Sequence, residues 1–267
     1  MSPLADIRVG NSRHILYYLE DQLAVLDRAN TWYLDSTFKI TKRPFQQLFS
    51  VHAFVKGDSG QQKQVPLAFF MMSSRTKRDY KKVLKRLKKT LPSSGSRVEE
   101  MVVDFESGMW SAIRLVFPEV HVRGCLFHWN QAVWRHCQQF GLVIPFNTDV
   151  SFRQYIKKLM ALPFLPHEHI PRAFYKLQER TNSPPLIQLC EYIESTWIIS
   201  TKWAPSSWTV FLQSTRTNND VEGWHRRINF KAGRHGLHFY KLVHLLHREA
   251  SLVSVQMKLI KESKLAR

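Results

Sequence analysis

Thr31-Trp32-Tyr33-Leu34-Asp35-Ser36-Thr37-Phe38 is the stretch on which the reading of this chain turns. It is an apolar run with the pattern of a strand over about 31–39, and one carboxylate stands near its middle. A charge in that setting is costly unless it is paired or holds a cation. Met101-Val102-Val103-Asp104-Phe105-Glu106 repeats the pattern, an apolar run that ends in an acid. A third acid, Glu222, lies in Thr217-Asn218-Asn219-Asp220-Val221-Glu222-Gly223-Trp224-His225-Arg226-Arg227-Ile228-Asn229. Two aspartates on strands and a distant helical glutamate suggest a site for divalent cations that handles phosphate.

Around these acids the periodicity sets an order of elements. Residues 14–29 carry Leu and Ile at helical spacing, which predicts a short N-terminal helical segment within 1–30. Strands follow at about 31–39, 46–56 and 63–72, with Gly57-Asp58-Ser59-Gly60 as a turn and Pro66 suited to an edge or a bulge. Val83, Leu84, Leu87 and Leu91 form the apolar stripe of a basic helix over 76–91. A strand at 98–104, a helix at 107–117 stopped by Pro118, a strand at 119–126 and a helix at 129–140 complete the first part, 31–144. Residues 145–212 are Pro-rich with short helical stretches and read as a helical insertion. Residues 213–267 hold a helix from about 218 that carries Glu222 and a closing helix at 238–262. Without the insertion the order is β-β-β-α-β-α-β-α, an α/β ribonuclease H-like mixed sheet. Its first three strands form a meander and the later ones pair in parallel through right-handed crossovers. One acid on the first strand, one after the fourth and one on the late helix then converge at one end of the sheet.

Composition narrows the partners. The 267 residues are 44% hydrophobic and 12% aromatic, enough for a sizeable core. Lys and Arg outnumber Asp and Glu by 39 to 21, and the formal charge is +18. That surplus favours a polyanion, nucleic acid first. No membrane partner is expected: the longest apolar stretch, Val65 to Met72, is far short of the roughly 20 residues a span needs. Cys125, Cys137 and Cys190 are too few for a disulfide framework, and the N-terminus has no apolar signal core, so the expectation is a soluble intracellular protein.

Four pieces in order, Leu34-Asp35-Ser36-Thr37-Phe38, Val103-Asp104-Phe105-Glu106, Cys125-Leu126-Phe127-His128 and Thr217-Asn218-Asn219-Asp220-Val221-Glu222-Gly223-Trp224-His225, resemble the catalytic core of Mutator-like element (MULE) transposases over about 30–245. The resemblance implies a DDE-type enzyme with the triad Asp35, Asp104 and Glu222 and the use of Mg²⁺ or Mn²⁺. Two such ions about 3.5–4 Å apart activate a water or hydroxyl and stabilise the leaving oxygen. Asp35 would bridge both, and Asp104 and Glu222 would each hold one. The implied substrate is double-stranded DNA, both transposon ends and target, and the implied place is the nucleus, with self-association by analogy. Family members usually carry a DNA-binding region before the core. Here about 30 residues without Cys precede the first strand, so a fragment, a shortened copy or a host gene derived from a transposon is expected. The rival readings are a DNA-binding protein without catalysis and a nuclease that cuts without joining.

Plainer roles stand beside each residue. Asp104 suits the N-cap of the next helix, which is compatible with ligation. Glu222 suits an i,i+4 pair with Arg226, and Asp220 and Glu106 compete with it as third ligand. Cys125 and His128 supply two zinc ligands, short of a tetrahedral site, so a buried Cys and a supporting His are the preferred reading. A second zinc pair, His225 with Cys137 or His136, has no diagnostic spacing. Lys81, Lys82, Lys85 and Arg86, and then Arg226, Arg227, Lys231 and Arg234, are candidates to track a DNA backbone. Trp129 and Trp224 are candidate base stackers, with core packing the preferred role.

Overall fold

A computed structural model describes residues 4–58, 60–93, 97–213, 215, 219–233 and 236–262. Leu4–Val9 (β1) and Ser12–Tyr17 (β2) form an antiparallel hairpin. Its turn is Gly10-Asn11, with Gly10 at φ +56°, the left-handed conformation such two-residue loops use. This corrects the helical reading of 14–29, since helix α1 covers only Glu20–Arg28. His14 to Tyr17 are all buried and pair with Phe69 to Met72, so sheet burial overrides a short run of Leu and Ile at helical spacing.

Thr31–Thr37 (β3), Gln47–Lys56 (β4) and Gln62–Met72 (β5) form the antiparallel meander. They are near-continuous apolar runs because both of their faces are covered, with Trp32, Phe49, Phe69 and Phe70 fully buried. Pro66 sits inside the sheet, where a missing N–H is tolerated only at an irregularity. The ladder slips there: Val51 faces Ala68 while His52 faces Pro66. Lys77–Thr90 (α2) starts at a capping box between Thr76 and Asp79 and buries Tyr80, Val83, Leu84 and Leu87. The chain returns as Glu100–Val103 (β6), parallel to β3, then Ser107–Val116 (α3), His121–Gly124 (β7) and Leu126–Gln139 (α4). Lys88 of α2 donates to the Val116 carbonyl and lies 4.9 Å over Phe117, tying α2 to the end of α3. Among the described residues the seven-stranded sheet has the order β1-β2-β5-β4-β3-β6-β7.

The chain divides into two compact units, 1–122 with 219–267, and 123–218. In the second, α4 is followed by Val143–Thr148 (α5), Val150–Met160 (α6), Ile170–Gln178 (α7) and Pro184–Ile193 (α8). Its centre is aromatic: Trp129 stacks on Trp208 at 5.4 Å and meets Trp197 edge-on at 6.2 Å. The unit starts before residue 145 and includes α4, whose Trp129, Val133 and Cys137 are buried. In the first unit, Asn219–Ala232 (α9) and Phe239–Lys261 (α10) cover one sheet face. Trp224, Ile228, Leu242, Leu246 and Ala250 pack there with Tyr17, Leu48, Phe69 and Met71. No described helix is long and apolar enough to cross a membrane.

Candidate metal centre

Parallel pairing of β3 with β6 places Leu34 opposite Val103, so Asp35 comes next on β3 and Asp104 is the first residue beyond β6. Asp35 is buried, and its Oδ1 accepts the Ser36 N–H at 2.7 Å. Asp104 is half-buried just past the end of β6. It accepts the Glu106 N–H at 3.0 Å, and its carbonyl takes the Trp110 indole N–H at 2.7 Å, which fixes the strand-to-helix turn.

Helix α9 brings the third acid. Asp35, Thr37, Ser50 and Phe69 follow the cross-strand register and share a face, and α9 lies on it. Trp224 packs on Phe69 and His52, while Asn229 and Thr37 exchange hydrogen bonds of 2.8 and 3.1 Å. Glu222, His225 and Asn229 fall at i, i+3 and i+7 of the helix, so one stripe of α9 follows β3. Asp35, Glu222 and His225 then each offer a ligand atom, all within 4.8 Å of one another. His225 Nδ1 is 3.6 Å from Asp35 Oδ2.

Two backbone devices hold this helix. Gly236, at φ +64°, lets the chain after α9 run against the segment after β3; a Cβ there would meet the Lys39 carbonyl at 2.9 Å. Leu237 N–H donates to Ile40 O at 2.8 Å beside it. On the outer side, the fully buried Glu249 of α10 accepts from Lys231 at 2.6 Å, Arg227 at 2.8 Å and the Trp224 indole at 3.2 Å.

The electrostatics are those of crowded carboxylates. Burial raises the proton affinity of Asp35 well above the ordinary range, and the charges of Glu222 and Asp104 push it the same way. Burial also raises Glu222; Arg226, one turn on, pulls the opposite way. Next to them, burial drives His52 well below the usual imidazole value, with His225 adding to the effect. Its Nε2 is 2.8 Å from the Ser50 hydroxyl. A cation placed among these acids reverses the sign of the local field and favours their ionised form.

The two competitors for the third position go elsewhere. Glu106 accepts the Tyr80 hydroxyl at 2.9 Å, and Asp220 is exposed, taking the Gln64 N–H at 3.4 Å. The remaining candidates divide. Lys82, Lys85 and Arg86 are exposed on α2 and Lys81 is half-buried. Arg226 is exposed, whereas Arg227 and Lys231 have their charges engaged by Glu249. Arg234 lies outside the described residues. Both candidate base stackers take the core-packing role preferred for them: Trp129 is 0% exposed and Trp224 4%, each set among the aromatic neighbours that bury it. Cys125 is buried ahead of α4, and neither it nor His128 joins a group of three metal-capable side chains among the described residues. Burial pushes the Cys137 thiol up to about 12.

His225 was missed as a member of the acid group. The spacing Glu222-x-x-His225 on a helix is its sequence signal, since residues three apart share a face. Exposed aromatics were missed too: Phe38 just beyond β3, with the Arg75 guanidinium 5.3 Å over its ring, and Phe230 and Tyr240 on the two C-terminal helices. Nothing in a linear pattern marks an aromatic as exposed.

Residues 31–132 match the family model of the MULE transposase domain. The matched segment runs from β3 into α4 and contains Asp35 and Asp104, while Glu222 and His225 lie beyond it. No curated protein matches the chain. A transposase domain implies DNA as the general class of partner and suggests the use of divalent metal.

Proposed function

We propose that this chain carries a DDE-type transposase domain in which Asp35, Asp104 and Glu222 act with divalent metal to cleave and join DNA phosphodiesters. One observation carries this reading: Glu222, from a helix far along the sequence, comes to the buried Asp35, and Asp104 is the first residue beyond the neighbouring strand β6. The element order β3-β4-β5-α2-β6-α3-β7-α4 is the one expected of a ribonuclease H-like fold and supports it. So does the family match over the first two acids.

The donor set fits Mg²⁺ or Mn²⁺. Both take carboxylate oxygen, and acids whose proton affinity is raised by burial, and at Asp35 also by neighbouring charges, are relieved by a cation. Asp35, Asp104 and Glu222 would hold it. When bound, such ions lower the pKa of water and stabilise developing charge on the leaving oxygen. The protein's own part is positioning. The Ser36 N–H fixes the Asp35 carboxylate, and Thr37 with Asn229 sets the height of α9 on the sheet. The exposed Arg75 and Arg226, beside Glu106 and Glu222, supply positive charge for a phosphate backbone. A DNA substrate assigns the nucleus of a eukaryotic cell as the place of action.

The purified chain should nick supercoiled plasmid, or join strands, with Mg²⁺ or Mn²⁺ present. Asp35→Asn, Asp104→Asn and Glu222→Gln should each lower the rate at least about a hundredfold, since several kcal/mol of charge stabilisation is at stake. Full activity in all three variants would refute the site. DNA binding without cleavage by the wild type would favour a non-catalytic descendant, and cutting without joining would favour a nuclease.

A further inference from the structure

Resting on that reading of the acid site, we propose that His225 is a direct metal ligand and that the site therefore selects a first-row transition cation, Mn²⁺ or a tighter-binding congener, over Mg²⁺. The group of metal-capable side chains contains an imidazole as well as the carboxylates of Asp35 and Glu222. The 3.6 Å between His225 Nδ1 and Asp35 Oδ2 lies between the separations of adjacent and opposite ligands, about 3.0 and 4.2 Å, around an ion bonded at about 2.1 Å. The ring sits one helical turn from Glu222, so one rigid element carries both donors.

The surroundings hold the ring in place. His225 is 6% exposed, with the Trp224 ring at 5.2 Å and the His52 ring edge-on at 6.3 Å, the two rings also in contact with each other at 5.2 Å. The chemistry of the donors then sets the preference. Mg²⁺ takes hard oxygen ligands and parts with its waters reluctantly, so a buried nitrogen donor adds little to its binding. Transition cations accept imidazole readily, in an order that rises from Mn²⁺ towards Co²⁺ and beyond. A purely oxygen-lined site would show a smaller gap.

The experiment loads the full chain with Mn²⁺ and reads the electron spin-echo modulation from nitrogen. Directly bound imidazole nitrogen should appear, should change when the protein is grown with ¹⁵N-histidine, and should vanish in His225→Asn. Titration should show Mn²⁺ affinity falling at least about tenfold in that variant, the lower end of what even an outer-shell partner is worth. Mg²⁺ affinity should change much less. Mn²⁺ bound with dependence on Asp35 but without nitrogen coupling would overturn the role of His225 and leave the acid site standing. Mn²⁺ binding indifferent to Asp35→Asn would remove the acid site as well. The isotope measurement needs no variant, so a misfolded His225→Asn would not protect the idea.

Discussion

Asp35 is where the residue scale is most exacting. Its neighbours Trp32 and Leu34 bury their side chains completely or nearly so, and the carboxyl is buried with them. In the metal-free protein its raised proton affinity means that the folded state binds more protons than the unfolded one. Its contribution to stability is then best near and below the unfolded value of about 4, and it declines as pH rises toward the folded value. Asp35→Asn removes that penalty while abolishing the proposed chemistry. We expect thermal melts in chelator to show a higher Tm for the variant at neutral pH, by a few degrees, since 1 kcal/mol is worth about 2–4 °C in a chain of this size. The dependence on pH above about 4 should also flatten. A lower Tm at neutral pH would mean that Asp35 is held by structural partners and not crowded by like charge. The acid itself was readable in the sequence, because a carboxylate inside an apolar run has few cheap explanations. Its partner His225 was not, because which helical residue faces a strand depends on how the helix is set down.

At the scale of elements, α9 is placed by what it packs on. Trp224 and Ile228 bury against β4 and β5, and Glu249 of α10 gathers Trp224, Arg227 and Lys231. Burial alone would raise the Glu249 carboxyl, but Lys231 and Arg227 outweigh it and hold it low. Its contribution is therefore present above the unfolded value near 4 and is lost as pH falls through the lower folded value. Glu249→Ala should cost about 2 kcal/mol in urea unfolding. That is below the roughly 3–5 of a fully buried pair, because Arg227 and Lys231 are 46% and 37% exposed and turn to water. A change under about 0.5 kcal/mol would show that α9 is held by its apolar face alone. Strand and helix identities from β3 to α4 were legible, the boundaries shifting by a few residues. The N-terminal hairpin was not: Ile15, Leu16 and Tyr17 satisfy both periods, and only the exposed flank of β5 decides between them. The cluster of Arg and Lys after Glu222 read as one basic patch, yet Glu249 divides it, and a charge so far along the chain leaves no trace in the local pattern.

For the whole molecule, the charge of +18 is the strongest unaided signal. It implies that binding of duplex DNA releases counterions, so affinity should fall at least about tenfold between 50 and 200 mM salt. The exposed face of α2 offers a run of cations, Lys82, Lys85 and Arg86, for the proposed phosphate contacts. Changing Lys82, Lys85 and Arg86 together to Ala should weaken binding to unrelated sequences alike and lower the salt slope by roughly one for each phosphate no longer neutralised. Circular dichroism should stay unchanged, because none of the three is buried. An unaltered slope would move the DNA path elsewhere, with Arg75, Arg226 and the exposed Phe38 the next to test. The sequence by itself determined the α/β order and pointed to Asp35, Asp104 and a polyanionic partner, since periodicity, burial cost and net charge are local or additive. Only the tertiary structure decided that Glu222 and His225, and not Glu106 or Asp220, come within 4.8 Å of Asp35 and that both tryptophans face inward. Those outcomes depend on where α9 lands on the sheet, and that is fixed by packing between residues remote in the chain.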